Sequence, residues 1–225
     1  MTKLEILTKE IVACTKCKRL VRWREKVARV KRASFKDWTY WGKPVPGWGD
    51  SEARIVILGL APSAHGGNRT GRIFTGDPSG DFLFAALHRA GFANQPQSLS
   101  RDDGLTVKDV YILAPVRCAP PDNAPLPSEI KKCSGYLDRE LDLLPNRRVV
   151  LALGGIAWNG YLSYLERRGT KYKPKPKFGH GAELAGDPMT MIASYHVSAQ
   201  NTLTGMLTPV MFDAILARVR KLADS

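Results

Sequence analysis

Four short apolar runs set the tightest limit on what this chain can fold into. They are Arg54-Ile-Val-Ile-Leu58, Val110-Tyr-Ile-Leu-Ala114, Val149-Val-Leu-Ala-Leu153 and Thr190-Met-Ile-Ala-Ser194. Each has strand length and is apolar at consecutive positions, the pattern of a strand buried on both faces. Segments with helical spacing lie between and after them: 79–91, Pro127 to about Leu144, Ile156–Glu166 and Pro209–Leu222. Strands alternating with helices predict an α/β fold, a parallel sheet covered on both sides. Two more helices are expected ahead of the first strand, over 3–13 and 18–32, followed by an aromatic loop over 34–52 that holds Trp38, Trp41 and Trp48. Residues 169–188, rich in Lys, Pro and Gly, read as loop. No internal repeat or low-complexity linker divides the 225 residues, so one domain is expected.

In parallel sheets of this kind, ligands bind beyond the carboxyl ends of the strands. The unusual residues of the sequence fall there. Gly59–Asp81 follows the first run, Pro115–Asn123 the second, Gly154-Gly155 the third and Tyr195-His196-Val197-Ser198 the fourth.

No stretch approaches the ~18 consecutive apolar residues of a membrane span. The amino-terminal residues lack the apolar block of a signal peptide, so a cytoplasmic protein is expected. Reduced thiols suit that setting, and the four cysteines then read as ligands rather than disulfides. Cys14 and Cys17 form a C-x2-C pair, and Cys118 and Cys133 are placed to close the site from elsewhere in the fold. Four thiolates suit zinc, iron or an iron–sulfur cluster, and spacing does not choose among them.

Thirty-four Lys and Arg against twenty-one Asp and Glu give a net charge of +13. Ten of the basic residues fall between Lys16 and Lys36 with one acid, Glu25, and six between Arg167 and Lys177 with none. Clustering of that kind predicts a polyanionic partner, nucleic acid above all.

The loop after the first strand is Gly59-Leu-Ala-Pro-Ser-Ala-His65-Gly-Gly-Asn-Arg-Thr70-Gly-Arg-Ile-Phe74-Thr-Gly-Asp77. It is neither a phosphate-binding G-x4-G-K-[ST] loop nor a dinucleotide G-x-G-x-x-G turn, so ATPase and Rossmann oxidoreductase chemistry lack support. Asp77 has two readings, a helix N-cap and a catalytic carboxylate. His196 likewise reads as a core imidazole or as a group that stabilises developing negative charge.

The long first loop, the His196-Val197-Ser198 motif, the segment Val116-Arg-Cys118-Ala-Pro-Pro-Asp-Asn123 and the cysteine pattern together resemble the uracil-DNA glycosylases of family 5, also called type B. The resemblance runs from about Leu4 to Leu222. It implies a three-layer α/β/α sandwich on a short, mainly parallel four-stranded sheet, with residues 1–50 carrying two of the cysteines and a basic face. It implies a [4Fe-4S] cluster on Cys14, Cys17, Cys118 and Cys133. The implied reaction is hydrolysis of the N-glycosidic bond of uracil in DNA, and of hypoxanthine or xanthine as well, by a monomer that leaves an abasic site and does not cut the strand.

Residue by residue, the resemblance makes Phe74 the aromatic that stacks on a flipped base. His196 becomes the donor to the departing base, and Asp77 the carboxylate that orients water or stabilises the cationic sugar, with Asp81 as the alternative. Asn123 corresponds to a family asparagine near the site. Backbone N–H groups near Leu60 and Ala61 are expected to hold the base. Arg69, Arg72 and the Lys16–Lys36 cluster are expected on phosphates, and Leu203 or Met206 as a wedge in the vacated stack. Two departures stand out. Ala114 or Pro115 occupies the place where many members read uracil with an asparagine, which removes a hydrogen bond worth about 1 kcal/mol and predicts relaxed base selectivity. Val197 replaces the usual proline of the histidine motif. A non-catalytic metal- or cluster-bearing nucleic-acid-binding protein is the competing reading.

Overall fold

A computed structural model describes residues 1–186 and 189–225. Eight α-helices and six strands follow in the order α1 (Lys3–Val12), α2 (Lys18–Val30), β1 (Trp48–Gly49), β2 (Ile55–Leu58), α3 (Gly67–Thr70), α4 (Pro78–Arg89), β3 (Val110–Leu113), α5 (Pro127–Asp142), β4 (Val149–Leu153), α6 (Gly155–Arg167), β5 (Glu183–Leu184), β6 (Thr190–Ser194), α7 (Ala199–Leu203) and α8 (Pro209–Asp224). All four apolar runs are strands, and the long helices start and end within about two residues of their expected bounds.

The helix starts follow from local chemistry. Thr2 and Glu5 form a capping box at α1, with the Glu5 N–H donating to Thr2 Oγ1 at 3.2 Å and the Thr2 N–H to Glu5 Oε2 at 2.7 Å. Pro occupies the first turn of α4, α5 and α8, where its missing N–H costs nothing.

The strand order is β1-β3-β2-β4-β6-β5. β3, β2, β4 and β6 are parallel, as expected. Two antiparallel edge strands of two residues each, β1 and β5, widen the sheet to six. They are too short to carry a period-two pattern, and β5 lies inside the segment expected as loop over 169–188. Residues 187 and 188 of that segment lie outside the described residues.

Alternate residues of the central strands feed two separate cores. Ile55, Ile57, Val110, Ile112, Val149, Leu151 and Ile192 pack with α4 and α8 through Leu83, Phe84, Phe212 and Val219. Val56, Leu58, Tyr111, Leu113, Val150, Ala152, Met191 and Ala193 pack on the other face with α5 and α6 through Leu137, Leu141, Trp158 and Tyr161. The period of two in each strand thus builds the α/β/α sandwich directly.

The chain leaves β2 toward the α4 layer, whereas its neighbours β3 and β4 lead into α5 and α6 on the opposite face. Loops that part in this way open a crevice at the carboxyl end of the sheet.

Candidate active site

Gly59 ends β2, and the loop beyond it folds back over the sheet edge. Phe74 lies across Gly59: a Cβ at that glycine would sit 2.7 Å from Phe74 Cζ. The Phe74 backbone is left-handed at φ 53°, an uncommon conformation for an aromatic residue. Its ring is 6.1 Å from the His196 ring, centroid to centroid, at an interplanar angle of 36°. Residues 122 apart in the sequence thus meet over the ends of β2 and β6.

His196 is positioned through its backbone. Its carbonyl accepts from Asn201 Nδ2 at 2.8 Å, and Gly154 leaves room for its side chain, since a Cβ there would be 3.3 Å from His196 Cβ. Among the described residues, no group hydrogen-bonds the imidazole. Burial pushes its pKa down to about 4, so the ring is neutral near pH 7. A neutral imidazole is able to donate a hydrogen bond without carrying a charge.

Asp77 is the N-cap of α4, the first of the two roles that its sequence allowed. One carboxylate oxygen caps α4, accepting from the Gly80 N–H at 3.0 Å. The other accepts a short hydrogen bond from the Ser63 hydroxyl, which in turn accepts from the Gly66 N–H at 3.1 Å. Glycine at 66 leaves room for this bond, because a Cβ would meet Asp77 Oδ2 and Ser63 Oγ. Asp81 lies exposed in the first turn of α4, and partial burial together with the Asp77 charge raises its pKa.

Asp77 and Asn123 line the same depression of about 380 Å³, with Ser63, His65 and Gly66. Asn123 is exposed, with a left-handed φ of 54°. His65 Nδ1 hydrogen-bonds the Tyr40 hydroxyl at 3.0 Å. Leu60 and Ala61 are half-buried, and among the described residues neither N–H has an acceptor within the chain. Leu203 projects from α7 at 86% exposure and Met206 at 53%, so neither is packed into the last helix.

Arg69 and Arg72 differ from expectation. Both are buried, with their guanidinium groups engaged inside the chain. Arg72 makes a bidentate ion pair with Asp103 at 2.7 and 2.9 Å, and its Nε donates to Thr75 Oγ1 at 2.9 Å. Arg69 stacks its guanidinium 3.9 Å over Phe35 and 4.1 Å over Trp38 and donates to the carbonyls of His65 and Gly76. The first loop uses these cations to hold its own backbone. The aromatic segment ahead of β2 supplies the rings that cover them, with Trp48 4.8 Å from Arg72.

The cysteines gather behind the loop. Cys17, Cys118 and Cys133 are buried in one cluster with Leu20 and Val116, against which Ala61 packs. Cys14 adjoins through Tyr136. Sequence reasoning missed Arg24, which is buried on α2 and donates to Cys118 Sγ at 3.0 Å and to the Cys14 carbonyl at 3.3 Å. Its place among ten basic residues disguised it as surface charge. Burial raises the thiol pKa values of Cys17, Cys118 and Cys133, that of Cys118 to about 12. Among the described residues, no three His, Cys, Asp or Glu side chains converge as a single metal ion requires.

No helix of the described residues is long and apolar enough to cross a membrane. A family model for the Uracil DNA glycosylase superfamily matches residues 46–220. The type-5 uracil-DNA glycosylase of Mycobacterium tuberculosis is 53% identical over 216 residues, 95% of this chain and 79% of that protein. That of Thermus thermophilus is 50% identical over 221 residues, covering 97% of this chain and 98% of the relative. The type-4 uracil-DNA glycosylase of Archaeoglobus fulgidus is more distant, at 28% over 201 residues, 88% of this chain and 83% of its own. A matching family model over most of the sandwich, and relatives of this identity over nearly the whole length, mean that the chain belongs to the uracil-DNA glycosylase superfamily and to its type-5 branch.

Proposed function

We propose that the protein is a monofunctional DNA glycosylase that removes uracil and other deaminated bases by hydrolysis and leaves an abasic site. The meeting of Phe74 and His196 over the sheet edge, 6.1 Å apart, carries this reading. A base turned out of the duplex stacks on Phe74. As the glycosidic bond breaks, negative charge develops on the base, and neutral His196 donates a hydrogen bond to it. The N–H groups of Leu60 and Ala61 supply further donors. Asp77, held by Ser63 and by the amino end of α4, faces the sugar and orients the attacking water or stabilises the oxocarbenium-like centre. Asn123 lines the same depression as Asp77. Ala114, buried at the end of β3, offers no side-chain hydrogen bond to tell uracil from hypoxanthine or xanthine, which supports a broad substrate range. Exposed Leu203 enters the stack that the base vacates.

The four cysteines fit a [4Fe-4S] cluster. The donor set is all thiol, three of its members share one buried cluster, and buried Arg24 brings positive charge to Cys118 Sγ. When bound, the cluster supplies a rigid link between the α1–α2 segment and the Val116–Cys133 region. The chain acts as one domain and as a monomer, with the exposed cations of the Lys16–Lys36 segment on DNA phosphates.

Uracil-containing duplex incubated with purified protein tests the reading, with abasic-site formation measured against a thymine control. Uracil-dependent abasic sites are expected, followed by release of hypoxanthine or xanthine. Protein with intact visible absorbance and iron content that releases none of these bases refutes it and leaves the binding-protein reading.

A further inference from the structure

The segment from Lys171 to Lys177 alternates lysine with Tyr172, Pro174 and Pro176, and Phe178 follows. Lys171, Lys173, Lys175 and Lys177 are exposed. Tyr172, Pro176 and Phe178 are half-buried and fasten the segment from beneath. Tyr172 and Phe178 pack on the α5–α6 core. The Trp158 indole N–H donates to the Pro176 carbonyl at 3.1 Å, and the Phe178 ring lies 6.4 Å from Trp158 and 6.3 Å from Tyr195.

The segment runs back along α6. It starts where the Thr170 N–H bonds the Leu165 carbonyl near the end of that helix, and finishes where Phe178 approaches Gly155 at its beginning. It therefore ends at the carboxyl edge of the sheet. There His180 Nδ1 accepts from the Tyr195 N–H at 3.2 Å, next to His196. The neighbouring arginines are already neutralised: Arg167 pairs with Asp138, and Arg168 with Asp142. Among the described residues, no carboxylate pairs with any of the four lysines.

We infer that this anchored lysine strap binds the phosphates of the DNA strand beside the target nucleotide and leads it along the flank of α6. The inference rests on the reading of the site as a DNA glycosylase, and it concerns binding alone. A strap of seven residues reaches at most ~25 Å when fully extended, enough to meet several phosphates of a duplex. Its contribution is graded, with Lys177 and Lys175 nearest the site contributing most and Lys171 least.

The test is the salt dependence of binding to a thymine-containing duplex, on which no base release intervenes. Replacing all four lysines by Gln should lower the slope of log K against log salt by about 2–4, at about 0.9 per lost phosphate contact. Replacing all four by Arg should retain the wild-type slope. Lys108 and Lys221, exposed at the opposite edge of the sheet, provide the control for net charge. The Lys175→Gln/Lys177→Gln pair should lose more slope than Lys108→Gln/Lys221→Gln. Equal slopes in the two pairs, or a wild-type slope in the fourfold Gln variant, overturn the inference. Wild-type protein that releases no base, alongside strap variants that lose slope, would refute the glycosylase reading and leave the strap standing. An unchanged melting temperature confirms that each variant is folded, and the Lys177→Gln single variant carries the test if the fourfold one is not.

Discussion

Burial of His196 makes the stability of this protein depend on pH in a defined window. The folded state holds the imidazole at a pKa of about 4, whereas an unfolded chain returns it to 6.5. Between those values the unfolded state binds more protons, so stability rises with pH. The contribution is fully present above pH 6.5, falls as the pH drops, and is gone below about pH 4. At about 1.36 kcal/mol per pH unit the whole window is worth about 3 kcal/mol, of which about 2 kcal/mol is lost by pH 5. Urea unfolding of the wild type and of His196→Gln, followed from pH 8 to pH 4.5, isolates the effect, because the titrating carboxylates are common to both. The stability difference between the two should shift by about 2 kcal/mol between pH 7 and pH 5, to the disadvantage of the wild type. Curves that stay parallel, or a His196 midpoint above pH 6 in a nuclear magnetic resonance titration, refute the reasoning and with it the neutral donor.

Asp77 allows its two functions to be separated. Asp77→Asn keeps an α4 cap and should lose base release with little change in stability, whereas Asp77→Ala should lose base release and about 1 kcal/mol of stability in chemical denaturation. Arg72→Ala removes the ion-pair partner of half-buried Asp103, which keeps three backbone N–H donors, so it should cost about 1–3 kcal/mol in unfolding experiments, while a conservative probe of the surface, the salt slope of DNA binding, should not move in variants that remain folded. Leu203→Ala should leave the melting temperature unchanged and slow uracil release from duplex at least several-fold more than from single-stranded DNA, measured in single turnovers. Equal effects on both substrates would remove Leu203 from the stack.

The parts of the fold legible in the sequence were those governed by local periodicity. β4 and β6 coincide with Val149–Leu153 and Thr190–Ser194, because each has a continuous run of buried apolar residues at its centre. β1 and β5 were not legible, since two residues on a sheet edge need only a backbone partner. α3 was hidden in the glycine-rich loop, where its four residues make a single turn. In the site, Phe74, Asp77 and His196 were placed by their motifs, and the structure brings them to one edge. The arginines were misjudged for a physical reason. Arg72 owes its burial to Asp103, and Arg69 to Phe35 and Trp38, partners about 30 residues away that spacing does not reveal. Ser63 was passed over because its importance lies in one hydrogen bond to Asp77.

The cysteine arrangement has a consequence for how the chain reaches this state. Cys14 and Cys17 sit on the segment between α1 and α2, and the sulfurs they meet lie ~100 residues later, beyond β2 and β3. Any group that joins the four closes a loop containing the whole first half of the sheet. Its formation before the sheet assembles would trap a wide range of open chains, and its formation afterwards fastens two helices to a finished scaffold. The second order costs less entropy at the moment of closure, because the long loop is already folded. Where such a group joins the sulfurs, the amino-terminal helices are the last part of the protein to settle and the first to come free when it is removed, so protease cleavage near α2 should report that loss before the sheet itself yields.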